Sequence, residues 1–177
     1  MENDKLFVID KKEDFSLEFS KLVSMMNYTR ETTLAEVMDL SVDQLDFLIH
    51  DEANSIGMLL AHLASVEKAY QIDTFENREF TAEDIDRLNP GMDLGKASQE
   101  QIKGQPIQFY LKQLEETRQE TLEKFKTLSD DWLFEQSPFW GDQPTNNYFK
   151  WFHVFEDELN HRGQIRVIKK FIKLSEE

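Results

Sequence analysis

The sequence predicts an all-α fold, a four-helix bundle with long connections. In four segments apolar residues recur every three or four positions, which is the period of an amphipathic helix. Two segments between them concentrate the prolines and glycines that end helices. Because the pattern contains no repeats, low-complexity tracts or change of composition, residues 1–177 are expected to form a single domain.

The composition limits the kinds of site that the chain can contain. Hydrophobic residues make up 40% of the 177 residues, enough for a substantial core without cross-links. There is no cysteine, so sites that depend on a cysteine thiolate are excluded. Any metal ion must therefore be bound by nitrogen and oxygen ligands.

The charge argues against several classes of partner. The net charge of −15 repels phosphate backbones and anionic lipids, although it can equally serve solubility alone. Neither nucleic acid nor a membrane is expected as a partner. Residues 1–12 lack the apolar run of a signal peptide, and no segment is long and apolar enough to cross a bilayer. We expect a cytoplasmic protein.

The first half of the chain predicts two long helices, over 14–39 and over about 54–75. Between them, Ser41 and Gln44 have the spacing of a capping box, which predicts a short helical turn. That turn is expected to direct three apolar side chains inward, namely Leu45, Phe47 and Leu48.

A long connection is predicted over 76–105, because it contains Pro90 and three glycines, with only a turn at 81–88. Connections of this length in compact domains are often functional. Pro106 suits the first position of a third helix, which is expected to end near Ser129.

A second irregular stretch is predicted up to Thr145, and the last helix is expected to start at Thr145 or Asn146, both good caps. Six aromatic residues gather before and within its first turns: Trp132, Phe134, Phe139, Trp140, Tyr148 and Trp151. They are interpreted either as core or as the wall of an apolar pocket. Phe139 and Trp140 are the best pocket candidates, because a neighbouring proline and glycine keep them in irregular backbone.

The last helix carries a polar stripe. His153, Asp157 and His161 lie four residues apart, so their side chains share about 80° of the helix circumference. Asn160 and Gln164 fall in the same sector. The same inward face continues through three apolar residues, namely Val167, Ile168 and Phe171. Three ionic residues lie on the opposite side and are expected to face solvent: Glu158, Arg162 and Lys169.

This stripe predicts a metal site. Unsatisfied buried polar groups cost roughly 1 to 3 kcal/mol each, so the face requires a metal, water or a ligand. Asp157 and His161 have the spacing at which two helical side chains reach one ion. His62 is the best third ligand, because it lies on the apolar face of the second helix. Taken alone, His62 is better explained as a hydrogen-bonded core histidine, and only the joint pattern with Asp157 and His161 favours a metal ligand.

Two motifs surround these candidate ligands. SIGMLLAHLASVE spans 55–67 and contains His62, and EDELNHRGQI spans 156–165 and contains Asp157 and His161. At these motifs the chain resembles the DinB/YfiT-like metal-binding four-helix bundles, whose order and spacing of helices it follows over nearly its whole length. The resemblance implies a divalent ion held by His62, Asp157 and His161, and a homodimer.

One position departs from the family pattern. Where the family commonly has His and sometimes Glu, this chain has the shorter Asp157, which favours harder cations and leaves Zn, Ni and Mn as candidate ions. His153, one turn earlier, is interpreted as a fourth ligand, a proton shuttle or a substrate contact. The alternative is a histidine hydrogen-bonded to backbone or to Asp157.

The resemblance also implies a class of reaction, because family members include transferases and isomerases that use thiols such as bacillithiol or mycothiol, and metal-dependent hydrolases. We therefore expect a metal-dependent enzyme, either a thiol-dependent S-transferase or a hydrolase, that acts on a small electrophilic substrate. His153 and Gln164 are the candidate catalytic residues. The alternative is a non-catalytic stress-response protein that binds a metal or ligand.

Gly163 lies inside the last helix and is interpreted as a site of close helix packing.

Overall fold

Four long helices dominate the computed structural model, which describes residues 5–139 and 143–175. The helices in this part of the chain are α1 (Leu17–Val37), α2 (Val42–Leu45), α3 (Ile56–Gln71), α4 (Ala82–Met92), α5 (Lys96–Gln101), α6 (Ile107–Phe125), α7 (Asp130–Phe134) and α8 (Asn147–Ser175). Two short strands, β1 (Gln136–Pro138) and β2 (Pro144–Asn146), pair antiparallel, with Ser137 opposite Thr145. The predicted all-α class is confirmed.

Local signals explain where several helices begin. The Ser41 and Gln44 capping box is present, and the Ser55 hydroxyl accepts a hydrogen bond from the backbone N–H of Met58 at the start of α3. Pro106 precedes the first helical residue of α6 and adopts an extended conformation, so it lies one residue earlier than predicted. In the first turn of α8, the backbone N–H of Phe149 donates to the Asn146 side chain at 2.9 Å.

The long helices pack as a closed bundle. Helix α8 contacts α1 and α3, α3 contacts α6, and α6 contacts α1. One apolar cluster is aromatic, with Trp151 fully buried between the rings of Phe75 and Phe125. A second is aliphatic and includes Leu45, which α2 carries inward as predicted. None of the described helices is long and apolar enough to span a membrane.

A buried cluster of four charged residues lies at the centre of the bundle. Each long helix contributes one residue: Arg30 from α1, Glu67 from α3, Arg118 from α6 and Glu158 from α8, all at most 7% exposed. Arg30 Nε donates to Glu158 Oε1 at 3.0 Å, and Arg118 Nε donates to Glu67 Oε1 at 2.8 Å. Two cations and two anions make the cluster electrically neutral, which is the condition for burying such groups.

Further hydrogen bonds saturate this cluster. Arg30 Nη1 donates to the carbonyl of Leu114 at 2.9 Å, and the Thr121 hydroxyl donates to Glu67 Oε1 at 2.8 Å. Burial raises the pKa of the Glu67 carboxyl, but Arg118 and Arg30 outweigh burial and hold that pKa below its usual range. The expectation that Glu158 faces solvent is therefore wrong, because its carboxylate pairs with Arg30 of α1 and Arg118 of α6.

The connections contain more structure than the sequence predicts. The turn predicted at 81–88 is the first part of α4, which continues through Pro90 and ends at Met92, and α5 follows it. A proline near the end of a short helix removes one hydrogen bond but does not stop the helix. Helix α3 ends in a π-helical turn, Ile72–Glu76.

One side chain after α2 differs from the prediction. Leu48 was predicted to point inward, but it is 36% exposed.

The outer face of α8 also differs from prediction. Val167 and Phe171 are 48% and 47% exposed, although the period predicted them to be buried with Ile168. No atom lies within 4 Å of the position that a Cβ would take at Gly163. The interpretation of Gly163 as a site of close packing within the chain is therefore wrong. A glycine inside a helix costs about 1 kcal/mol relative to alanine, and no contact within the described chain accounts for that cost.

Replacing Glu158 by Gln is expected to destabilise the fold by about 3 to 5 kcal/mol, because it leaves a buried excess of positive charge on Arg30 and Arg118. The measurement is the free energy of unfolding in urea. The matched control is Glu116→Gln, which removes an exposed ion pair with Lys112 and is expected to change stability by less than about 0.5 kcal/mol. Equal effects of the two substitutions would contradict the role given to the buried cluster.

Candidate metal centre and cavity

Three potential metal ligands meet between α3 and α8. His62 Nε2 lies 3.4 Å from Asp157 Oδ2, and His161 Nε2 lies 3.4 Å from Asp157 Oδ1. The imidazole rings of His62 and His161 meet edge to face, with centroids 4.7 Å apart. One donor atom from each residue lies within 4.8 Å of the others. The structure thus brings the three predicted ligands together.

A backbone carbonyl orients His62. Its Nδ1 lies 2.9 Å from the carbonyl oxygen of Gly91 in α4, so the hydrogen is assigned to Nδ1 and the lone pair to Nε2. A Cβ at Gly91 would lie only 2.1 Å from Ser65 Oγ and 3.0 Å from the carbonyl oxygen of Ala61. Glycine at this position therefore permits α4 to approach α3 closely enough for the contact with His62.

The polar atoms at the centre fit a divalent cation. Asp157 Oδ2 and His161 Nδ1 are buried and have no hydrogen-bond partner among the described residues. Burial raises the pKa of the Asp157 carboxyl, but His161 and His62 outweigh burial and hold that pKa well below its usual range. The group is therefore an anion beside two imidazoles, which is the nitrogen and oxygen donor set that binds Zn, Mn or Ni.

Two of the candidate ligands, His62 and Asp157, line a cavity of about 460 Å³, and His161 lies beside Asp157. This volume suits a small organic molecule. Most of the lining is apolar and comes from α3, α4, β1 and the residue after β1, namely Val66, Ala69, Met92, Pro138 and Phe139. Phe139 thus lines the cavity, as predicted. Trp140, predicted with it, lies outside the described residues.

A tyrosine and a histidine form a pair on the same wall. The hydroxyl of Tyr70 lies 3.3 Å from Nδ1 of His153, and both residues line the cavity. Burial, with the charges of Asp73 and Asp157, raises the pKa of Tyr70, so its hydroxyl stays protonated near neutral pH. The pair therefore supplies a hydrogen-bond donor and an imidazole beside the candidate metal centre.

An ion pair between a buried lysine and a partly exposed aspartate lies on another part of the cavity wall. Lys150 is 2% exposed, and its Nζ donates to Asp73 Oδ2 at 2.7 Å. Asp73 belongs to the π-helical turn after α3, and its side chain is 42% exposed. The pair thus gives an otherwise apolar wall one polar, charge-balanced patch.

Two predicted members of the site lie elsewhere. Gln164, predicted as catalytic, and Asn160 are exposed and line a different cavity, beside Ile49 and Gly163. The predicted inward direction of Gln164 is therefore wrong, and it is not retained as a catalytic candidate. The reason is that α8 packs with Glu158, His161 and Ile165 toward the bundle, which turns Gln164 outward.

Several residues that line the cavity were not predicted from the sequence, although the helical spacing of some of them could have identified them. Tyr70 follows His62 and Val66 at steps of four on the same face of α3, so the helical period could have identified it. Lys150 precedes His153 by three residues on α8 and could have been found in the same way. The contact of Gly91 with His62 depends on the folding of a segment predicted to be a connection, and no periodicity signals it.

The comparisons with known proteins agree with this architecture. The family model described as mycothiol S-transferase matches residues 21–173, which include all three candidate ligands. Among curated proteins, none gives a significant match. Because the match spans most of the chain, this chain belongs to the mycothiol S-transferase family, a DinB/YfiT-like family.

Proposed function

We propose that this protein is a divalent-metal-dependent S-transferase that joins a low-molecular-weight thiol to a small electrophile. The observation that carries the proposal is the convergence of His62, Asp157 and His161, with two unpartnered polar atoms, beside a cavity of about 460 Å³ that His62 and Asp157 line. The family supports a thiol as the co-substrate. Either mycothiol or bacillithiol fits this class of thiol.

The three ligands have distinct tasks in this proposal. His62 and His161 present imidazole nitrogens and Asp157 presents a carboxylate, which together leave positions for further ligands. A divalent ion bound there would lower the pKa of a thiol and favour its thiolate form. The carbonyl of Gly91 keeps the Nε2 lone pair of His62 directed at the centre.

The transfer breaks the S–H bond of the thiol and forms a carbon–sulfur bond to the electrophile. If the electrophile has a leaving group, that bond breaks and the leaving group departs with the electron pair. The proton must be taken up near the sulfur, and the pair of Tyr70 and His153 lines the same cavity as His62 and Asp157. The apolar lining excludes water and so favours S-transfer over hydrolysis.

The metal site is tested by the metal content of protein purified without chelator and then supplied with Zn, Ni or Mn. We expect about one ion per chain in the natural sequence and loss of that ion in His62→Ala and Asp157→Ala, because each removes a ligand. His50→Ala is the matched control, since His50 is an exposed histidine in a connection. Equal metal content in all four proteins would contradict the site.

Activity is tested with mycothiol, bacillithiol and other small thiols against an activated aryl halide. His161→Ala is expected to lower kcat/KM at least about 10²-fold while the circular dichroism of the helices persists, because the activating ion is lost. If the natural protein is stabilised by a thiol but shows no turnover with any pair, it is a binding protein rather than an enzyme.

The role of His153 is tested separately from metal binding. His153→Asn is expected to lower kcat about 10²-fold with metal content unchanged, because a proton acceptor beside the sulfur is lost. Tyr70→Phe, which removes only the hydroxyl, is expected to act in the same direction and to change the pH profile of kcat. Loss of the metal ion in His153→Asn would instead identify His153 as a fourth ligand.

A further inference from the structure

Lys150 is the one lysine or arginine among the described residues that line the cavity of about 460 Å³. Only 2% of its side chain is exposed, whereas 42% of the side chain of its partner Asp73 is exposed. Lysines are almost never buried to this degree unless they are paired. If the pair separated, Asp73 would regain water and Lys150 would not.

The ammonium group of Lys150 has more hydrogen-bond donors than partners. It carries three N–H groups, and among the described residues its one hydrogen bond goes to Asp73 Oδ2 at 2.7 Å. Buried donors that lack an acceptor cost free energy, and folded proteins leave few of them unpaired. Lys150 therefore offers two further N–H groups of a buried cation to an acceptor bound in the cavity.

Lys150 lies on the same stripe of α8 as the candidate metal centre. His153 and Asp157 follow it by three and seven residues, so the three side chains share one face of the helix. Seven residues correspond to a rise of about 10 Å along the helix. A reactant of about that length therefore reaches from the candidate metal centre past His153 to Lys150.

The π-helical turn Ile72–Glu76 positions Asp73 opposite Lys150. The hydroxyl of Thr74 in that turn accepts a hydrogen bond from Trp151 Nε1 at 3.2 Å and donates to the carbonyl of Tyr70 at 2.6 Å. These bonds anchor the turn to α8, and turns of this kind occur often at functional sites. The backbone of Asp73 is thus held in place, while its side chain borders solvent.

We propose that Lys150 is the subsite for a carboxylate of one of the two reactants, and that Asp73 pairs with Lys150 until that reactant binds. An ammonium group donates charge-assisted hydrogen bonds to a carboxylate, which can replace those to Asp73. The displaced side chain of Asp73 becomes hydrated at the surface. The inference rests on the proposed function, because that function defines the reactants as a thiol and an electrophile.

The charges of the chain explain why an anionic reactant needs such a subsite. The net charge of −15 repels a carboxylate, and Asp73 and Asp157 both line the cavity. The attraction of a buried cation is stronger than that of an exposed one, because apolar neighbours lower the local dielectric constant. Lys150 therefore gives the cavity a preference for a carboxylate over an uncharged amide of the same shape.

The test measures binding by calorimetry, without turnover, for two pairs of acid and amide. The thiol is represented by 8-mercaptooctanoate and its amide, and the electrophile by 4-chloro-3-nitrobenzoate and its amide. In at least one pair the acid is expected to bind with a Kd at least about tenfold lower than that of the amide, with and without added zinc. The pair that shows the preference identifies the reactant that supplies the carboxylate.

Lys150→Met keeps the apolar stem and removes the charge. In this variant the Kd values of that acid and its amide are expected to agree within about threefold, because the ammonium donor is lost. Lys112→Met is the matched control, since Lys112 belongs to an exposed ion pair with Glu116, and it is expected to retain the natural preference.

Asp73→Asn distinguishes a ligand subsite from an ion pair that only supports the fold. It removes the anion that competes for Lys150, so the Kd of the acid is expected to fall at least about threefold, and the acid is expected to raise Tm more than in the natural protein. A purely structural pair would instead weaken binding in both variants. This variant also tests the inference if Lys150→Met does not fold.

Equal Kd values for acid and amide in both pairs would overturn the subsite, as would a preference for the acid that survives in Lys150→Met. These results are distinct from failure of the proposed function. Binding of an acid that depends on Lys150, without any turnover, would reject the transferase and keep the subsite. Turnover without a preference for an acid would reject the subsite and keep the transferase.

Discussion

The neutral charge cluster at the centre of the bundle fixes how the four long helices sit relative to one another. Arg30, Glu67, Arg118 and Glu158 each come from a different helix, so rotating any one of them leaves a buried charge without its partner. Apolar contacts alone tolerate small rotations of a helix, whereas buried ion pairs with bidentate hydrogen bonds tolerate few. The charge cluster therefore selects one arrangement of the four long helices, in addition to stabilising the fold.

The candidate metal centre benefits directly from that constraint. Asp157 is adjacent to Glu158 in α8, and His62 lies five residues before Glu67 in α3. Fixing Glu67 and Glu158 in the cluster therefore also fixes the rotation of both ligand-bearing helices near the ligands. A shorter ligand such as Asp157 has little reach to compensate for misplacement, so the proposed site requires a rigid scaffold.

The sequence was sufficient to predict the long helices and the convergence of His62, Asp157 and His161, because the helical period places each of these side chains on an inward face. The sequence was not sufficient to predict that Glu158 is buried, because its burial depends on two arginines that lie at least 40 residues away in the chain. The sequence nevertheless contained an indication of this burial. Each residue of the charge cluster lies three or four positions from a buried apolar residue of its own helix, as Arg30 does from Met26. Charged residues at apolar positions on several helices indicate mutual pairing. Helix α4 was missed because Pro90 was interpreted as a helix breaker.

If His62 binds the proposed ion, its contact with Gly91 would link retention of that ion to helix α4. Because the carbonyl of Gly91 orients His62, release of α4 from α3 would free that imidazole to rotate, and an ion bound at the proposed site would in turn favour the docked position of α4. The two events are thermodynamically linked, so each must stabilise the other by the same free energy. Helix α4 also carries Met92 to the cavity wall. In the proposed metal site, the position of α4 would therefore affect both the cavity wall and the affinity for the cation.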